Sequence, residues 1–214
     1  MFIFEQIRTG GDRNFAYLVG DRESGEAVVV DPSYDPDAVL ERATAQKLSV
    51  THVVNTHGHT DHTNGNDRVK RRTGAKLVAH ESAASRPEVP VAHGDVLRVG
   101  SLELRFLHTP GHTTDDLCIR FDPVVLTGDL LFVGKIGGTP DDRAAEIEYR
   151  SLHDVVLRLP DSITVWPGHD YGCRPSSTIG IEKRTNPFLL APDLASFLAL
   201  KRDWARYKEE HGLK

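Results

Sequence analysis

His57, His59, Asp61 and His62 place four candidate metal ligands within six residues, in the run Thr56-His57-Gly58-His59-Thr60-Asp61-His62. A single histidine is usually a packed or solvated imidazole. Three of them with a carboxylate at this spacing offer nitrogen and oxygen donors to a divalent cation, and Gly58 lets the backbone pass close to an ion. The same local pattern recurs downstream, where an apolar run ends in a small or turn-forming residue and then a donor: Gly111-His112, Gly128-Asp129 and Gly168-His169. Five imidazoles and two carboxylates exceed the needs of one tetrahedral zinc. They suit two adjacent ions with a bridging carboxylate and a shared water, an arrangement that makes hydroxide available near neutral pH.

For these donors to converge, they must stand at strand ends on one edge of packed sheets, where α/β architectures commonly place their active crevice. The chain supplies such strands. Met1 to Ile7, Phe15 to Gly20 and Ala27 to Asp31 read as strands, and the β-branched run Val50 to Asn55 as a buried strand leading into the histidine cluster. Asp35-Pro36-Asp37 reads as the capped start of a helix reaching Gln46, with Val39, Leu40 and Ala43 on its apolar face. A polar helix ending at about Arg72 and capped by Gly74 precedes a short strand, Lys76 to His80. Hairpins are expected at Val96–Val99 with Leu102–Leu107, and at Leu117–Phe121 with Val124–Leu126. After the glycines at 134, 137 and 138, one helix is expected from Arg143 to Arg158, with Ile147, Leu152, Val155, Val156 and Leu159 as its apolar stripe. A strand from Ile163 to Trp166, a short helix after Ser177 and a longer one from Leu194 to Glu210 complete the order. Phe197, Leu200, Trp204 and Tyr207 share one face of that last helix, suited to core packing or a homodimer contact. Each half is a set of strands followed by helix, so two sheets face to face with helices outside are expected.

The 214 residues, 27% charged and 39% hydrophobic, fit one globular domain rather than a disordered or fibrous chain. A net charge of -5 argues against a nucleic-acid surface, which needs a clustered basic excess. Two cysteines, Cys118 and Cys173, make no disulfide framework and suit a reducing compartment. With no basic leader at Met1-Phe2-Ile3-Phe4-Glu5 and no apolar run long enough to span a bilayer, a cytoplasmic protein without membrane association is expected. His80 and His93 read as surface groups, His52 and His108 as packing or supporting groups, and Cys173 as a buried thiol.

The His-x-His-x-Asp-His run, with the later Gly-His112, Thr-Gly-Asp129 and Gly-His169, resembles the metallo-β-lactamase superfamily over nearly the whole chain. The resemblance implies an αββα four-layer sandwich spanning residues 1–214 as a single domain with a short C-terminal helical tail. It also implies a first metal site of His57, His59 and His112 and a second of Asp61, His62 and His169, bridged by Asp129. Two branches are similar: glyoxalase II and the persulfide dioxygenases. Gly168-His169-Asp170-Tyr171 and the stretch from Ser177 to Pro187 resemble tail segments of both, while Tyr17 to Ser24 and Asp170 lean toward the dioxygenases. Nine positions after the bridging aspartate both branches usually carry Arg or Lys; here that position is Gly138, with Lys135 nearby. Tyr171 matches family positions that approach the metal.

The expected activity is hydrolysis of a thioester or comparable small ester by a metal-activated hydroxide, with Asp61 orienting the nucleophile and carrying its proton. Two divalent ions are expected, zinc first and ferrous iron as the alternative. A competing expectation is a glutathione persulfide dioxygenase with one ferrous ion on His57, His112 and Asp129, because two imidazoles and a carboxylate leave open positions for oxygen and substrate. In either case the partner is a small thioester or thiol-derived molecule.

Overall fold

The computed structural model describes residues 2–212; Met1, at the start of the expected first strand, lies outside them. One sheet runs in the order β1 (Phe2–Gly10), β2 (Asn14–Asp21), β3 (Glu26–Val30), β4 (Ser49–Val54), β5 (Lys76–His80) and β6 (Val89–Val91). Its first three strands are antiparallel and its last four parallel. The second sheet contains β7 (Val96–Val99), β8 (Leu102–His108), β9 (Leu117–Phe121) and β10 (Val124–Gly128) as an antiparallel meander. A two-stranded ribbon, β11 (Leu131–Phe132) with β12 (Lys135–Ile136), follows β10. Then β13 (Thr164–Pro167) adds to β10 in parallel and β14 (Ser177–Thr178) closes the edge.

Alternation along β2 shows why there are four layers. Phe15, Tyr17 and Val19 point between the sheets, where they meet Val28, Val54, Leu104, Phe106 and Ile119. Ala16 and Leu18, on the opposite face, pack with Val39 of α1 (Pro36–Ala45) and Val69 of α3 (Asn66–Thr73). In the second sheet Val125 and Val165 face outward onto Leu152, Val156 and Phe197. Both sheets are therefore apolar on both faces, and each must be covered by helices. Phe106 is fully buried between the sheets, where truncation to Ala would cost about 3–5 kcal/mol.

The αββα architecture agrees with the expectation. So do the caps of α1, where Asp35 accepts from Ala38 N at 3.0 Å ahead of Pro36, and of α3, where Gly74 takes φ +74°. Other details differ. The single helix expected over 143–158 is α4 (Asp142–Arg150) continued by a π-helical turn, Ser151–Val155, and a 3-10 turn, Val156–Arg158. That change of winding re-aims the stripe, leaving Ile147 exposed while Leu152 and Val156 are buried. After α2 (Thr60–Thr63) and α5 (Ile179–Thr185), the expected last helix is two, α6 (Leu194–Arg202) and α7 (Trp204–His211), broken at Asp203. Only Phe197 of its apolar face is fully buried; Leu200 and Trp204 pack at the edge of the core. Among the described residues, no helix is long and apolar enough to cross a membrane.

Candidate metal centre

Four strand ends supply the donors. β4 ends at Val54, and the chain turns through His57 to α2, which carries Asp61 and His62. β8 leads to His112, β10 to Asp129, and β13 to His169. The two sheets are stitched together here: Phe15 N donates to Gly168 O at 2.8 Å, and Asn14 pairs with His169 as an isolated antiparallel bridge. The approach is close enough to demand glycine, since a Cβ at Gly168 would lie 2.3 Å from Asp129 Oδ1 and 2.7 Å from His62 Cε1.

The donors gather into three overlapping triplets, His57/His59/His112, His57/His62/Asp129 and Asp61/His62/His169, with all donor atoms of a triplet within 4.8 Å of one another. His59 Nδ1 is 3.0 Å from both His57 Nε2 and His112 Nε2, and His62 Nε2 is 3.2 Å from His169 Nε2. All seven residues expected from the sequence are thus brought together.

The outer nitrogens explain which way the lone pairs face. His112 Nδ1 donates to Gly138 O at 2.6 Å, and His169 Nδ1 to Asp12 O at 2.7 Å. His62 Nδ1 meets Asp31 Oδ2 at 3.0 Å. A neutral imidazole that donates from Nδ1 holds an unshared pair on Nε2, so these outer partners set three Nε2 atoms to face a cation at the centre, in tautomers fixed from outside. Without a cation, burial works against charge on His62 and His169, but Asp31 and Asp129 raise the first well above its ordinary value and Asp129 raises the second. Asp129 Oδ1, buried and without a hydrogen-bond partner although His62 Nε2 lies 3.3 Å away, fits the same reading. The residues therefore fit divalent metal.

Charge at the centre is balanced locally. Burial, then the neighbouring His62, presses the His57 imidazole well below its ordinary value, and burial lowers His112 as well. Burial also works against a charged Asp129, but His169 and His62 outweigh it and hold the carboxyl well below the usual range. Asp61 is oriented by Asn14, whose Nδ2 donates to Asp61 Oδ2 at 3.0 Å and to its backbone O at 3.1 Å.

Tyr171 stacks on His169 with ring centroids 4.6 Å apart and donates its hydroxyl to Asp12 Oδ2 at 2.6 Å. Burial, then that hydrogen bond, pushes its phenol up. Beside it opens a cavity of about 590 Å³ whose lining includes Arg13, Lys135, Tyr171, Trp204 and Lys208, together with the carboxylates of Asp12, Asp141 and Asp142. The cavity adjoins the donors through Tyr171 and through Gly138, the acceptor for His112. Arg13 lies 4.6 Å and Lys135 Nζ 5.5 Å from the Tyr171 ring. Burial, then Lys208 and Arg13, lowers the Lys135 ammonium.

Several groups stand elsewhere than expected. His80 is buried rather than at the surface, its ring stacked 3.9 Å from His108 and its Nδ1 2.7 Å from Ser82 Oγ. Cys173 is exposed rather than buried, because it follows the last donor on a loop that leaves the sheet. Asp31, Asn14 and Asp12, which orient donors, were not singled out by sequence pattern. Asp31 alone had a signal, its place at the end of a strand.

The metallo-beta-lactamase superfamily model matches residues 9–169. The hydroxyacylglutathione hydrolase of Polaromonas sp. strain JS666 is 41% identical over 177 residues, covering 79% of this chain and 67% of that one. The crystal structure of ETHE1 from Myxococcus xanthus superposes with a TM-score of 0.89 at 36% identity, covering 94% of this chain and 91% of that one. TTHA1623, solved in a di-iron-bound form, superposes with a TM-score of 0.70 at 27% identity, over 86% of this chain and 100% of that one. The fold, the donor set and these matches together place the chain in the metallo-beta-lactamase superfamily, as one of its metallohydrolase enzymes.

Proposed function

We propose that the chain is a glyoxalase II-like thioester hydrolase, one metallo-β-lactamase-like domain holding two divalent ions, zinc by preference. His57, His59 and His112 would hold one ion, Asp61, His62 and His169 the other, with Asp129 between them. A pair of ions bound there lowers the pKa of water toward neutrality and offsets negative charge developing on a carbonyl oxygen. The observation that carries this reading is that every member of the second set has its own support. Asp31 meets His62, the Asp12 carbonyl meets His169, and Asn14 meets Asp61. Such dedicated orientation is the mark of a working ligand set.

Asp61 is the most exposed of the second set, its side chain 32% accessible. With one oxygen held by Asn14 Nδ2, its carboxylate would orient the attacking water and take its proton. Tyr171, flat on His169, forms the wall between donors and cavity. Arg13, Lys135 and Lys208 favour an acidic group on the substrate, in the role that Gly138 cannot fill. The hydroxyacylglutathione hydrolase relatives suggest the chemistry of such a substrate, a thioester whose thiol portion bears carboxylates.

A second reading, glutathione persulfide dioxygenation with one ferrous ion on His57, His112 and Asp129, is favoured by the run from Tyr17 to Ser24 and by Asp170. One preparation, divided between zinc and anaerobic ferrous iron, tests the choice. The expected result is thioester cleavage by the zinc form without oxygen consumption. Oxygen uptake with glutathione persulfide by the iron form, with no thioester cleavage by the zinc form, would reverse it.

A further inference from the structure

Lys201 of α6 lies well beyond the residues that match the family model, yet it reaches the loop beside the candidate metal centre. Its Nζ donates to Gly137 O at 3.0 Å and pairs with Glu148 of α4, a carboxylate with no solvent exposure. Gly137 is wedged between two donors: a Cβ there would meet Asp129 O at 2.1 Å and His112 Nδ1 at 3.2 Å. The next carbonyl, Gly138 O, is the one that accepts from His112 Nδ1. The helical segment that carries Glu148 bears on the loop that carries His112. Gly111 lies so close to Glu148 that a Cβ would fall 2.3 Å from Glu148 Cβ, and Ser151 Oγ donates to Pro110 O at 2.6 Å.

The loop behind His112 thus rests on the helical segment that carries Glu148, and the acceptor in front of it is held through Lys201, which pairs with the buried Glu148. We propose that Lys201 is a positioning residue which, with Glu148, fixes the tautomer and place of His112, so that α6 sets the metal affinity of the His57/His59/His112 set. The inference rests on the reading of that set as a metal site. Hydrogen-bonding partners outside a ligand set characteristically change metal affinity by 10–100-fold.

The test compares the full chain with Lys201→Met and with the double variant Lys201→Met/Glu148→Gln. The double variant leaves no unpaired carboxylate in the interior and keeps the question open should the single variant fail to fold. Zinc affinity is read by chelator competition, and the His112 Nδ1–H by NMR of the zinc-loaded protein. The expected result is a 10–100-fold weaker ion at the three-histidine set, an unchanged ion at Asp61/His62/His169, and a His112 Nδ1–H that exchanges faster with solvent. Folded variants with wild-type affinity for both ions and an unchanged His112 signal would overturn the proposal. His112→Ala is the control: loss of one ion there confirms the set, whereas retention of both would refute the ligand reading itself.

Discussion

The carboxylate of Asp31 lies 3.0 Å from His62 Nδ1, and to reach it Asp31 holds a left-handed backbone with φ +48°. The same side chain accepts from Thr56 N at 2.9 Å and from Thr56 Oγ1 at 2.6 Å, tying the end of β3 to the start of the histidine run. Asparagine tolerates this backbone region better than most residues, so Asp31→Asn removes the charge with little strain. We expect 10–100-fold weaker binding of the second ion with the fold retained, measured by chelator competition and circular dichroism.

Two ions per chain are expected by elemental analysis after metal is resupplied, because the donors form more than one complete triplet. Asp61→Asn preserves the shape and an acceptor for Asn14 while removing the charge. Turnover of a thioester should fall by about 10²–10⁴. Full activity in a variant carrying both ions would take Asp61 out of the chemistry.

Arg13, Lys135 and Lys208 should be read in KM rather than in kcat, since they line the cavity away from the donors. Arg13→Gln and Lys135→Gln are each expected to raise KM for a glutathione thioester about tenfold, as loss of one charge-assisted contact does. A neutral thioester should be nearly indifferent to both. Equal effects on the two substrates would mean that the cavity does not read substrate charge.

Burial pushes the Glu148 carboxyl up to about 7 against the pull of Lys201. Between the ordinary carboxylate value and 7 the folded chain keeps a proton that the unfolded chain releases, so this group's contribution is full below about 4.5 and declines as pH rises through 7. The decline is roughly 1.4 kcal/mol for each unit between the two values. The stability difference between wild type and Glu148→Gln, from urea unfolding at several pH values, should therefore shift against the wild type from pH 5 to pH 8. A flat difference would show that Glu148 is ionised in the fold throughout.

Cys118 is fully buried, its thiol pushed up to about 12 by burial, whereas Cys173 is exposed. A thiol reagent should modify one cysteine per native chain and two after denaturation. Thiolate is the reactive form, so protection of Cys173 in the native state would show that its loop is covered in solution.

The donors were legible in the sequence because each follows an apolar run through a glycine or a short turn, a local pattern that survives without knowledge of the fold. His57 to His62 are neighbours along the chain, and His112, Asp129 and His169 carry their glycine with them. What holds them was not legible. Asp12 meets His169 across 157 residues and Lys201 meets Gly137 across 64, and no short-range pattern marks such partners. The break at Asp203 and the π-helical turn at Ser151 keep helical periodicity nearly intact, so the sequence pattern there is that of continuous helix. β6, three residues around Pro90, offers too little alternation to be seen as a strand.

The three-histidine triplet closes at residue 112, whereas the set with Asp61 and His62 waits for His169. A ribosome delivering roughly 5–20 residues per second separates those two moments by about 3–11 s. During that interval the nascent chain carries the makings of an all-imidazole site and only part of the other. Imidazole accepts zinc, iron and copper alike, so on the two-ion reading the cation pool around the ribosome has a chance to influence which metal enters first. The same purified sequence could then come from two hosts with different metals in it.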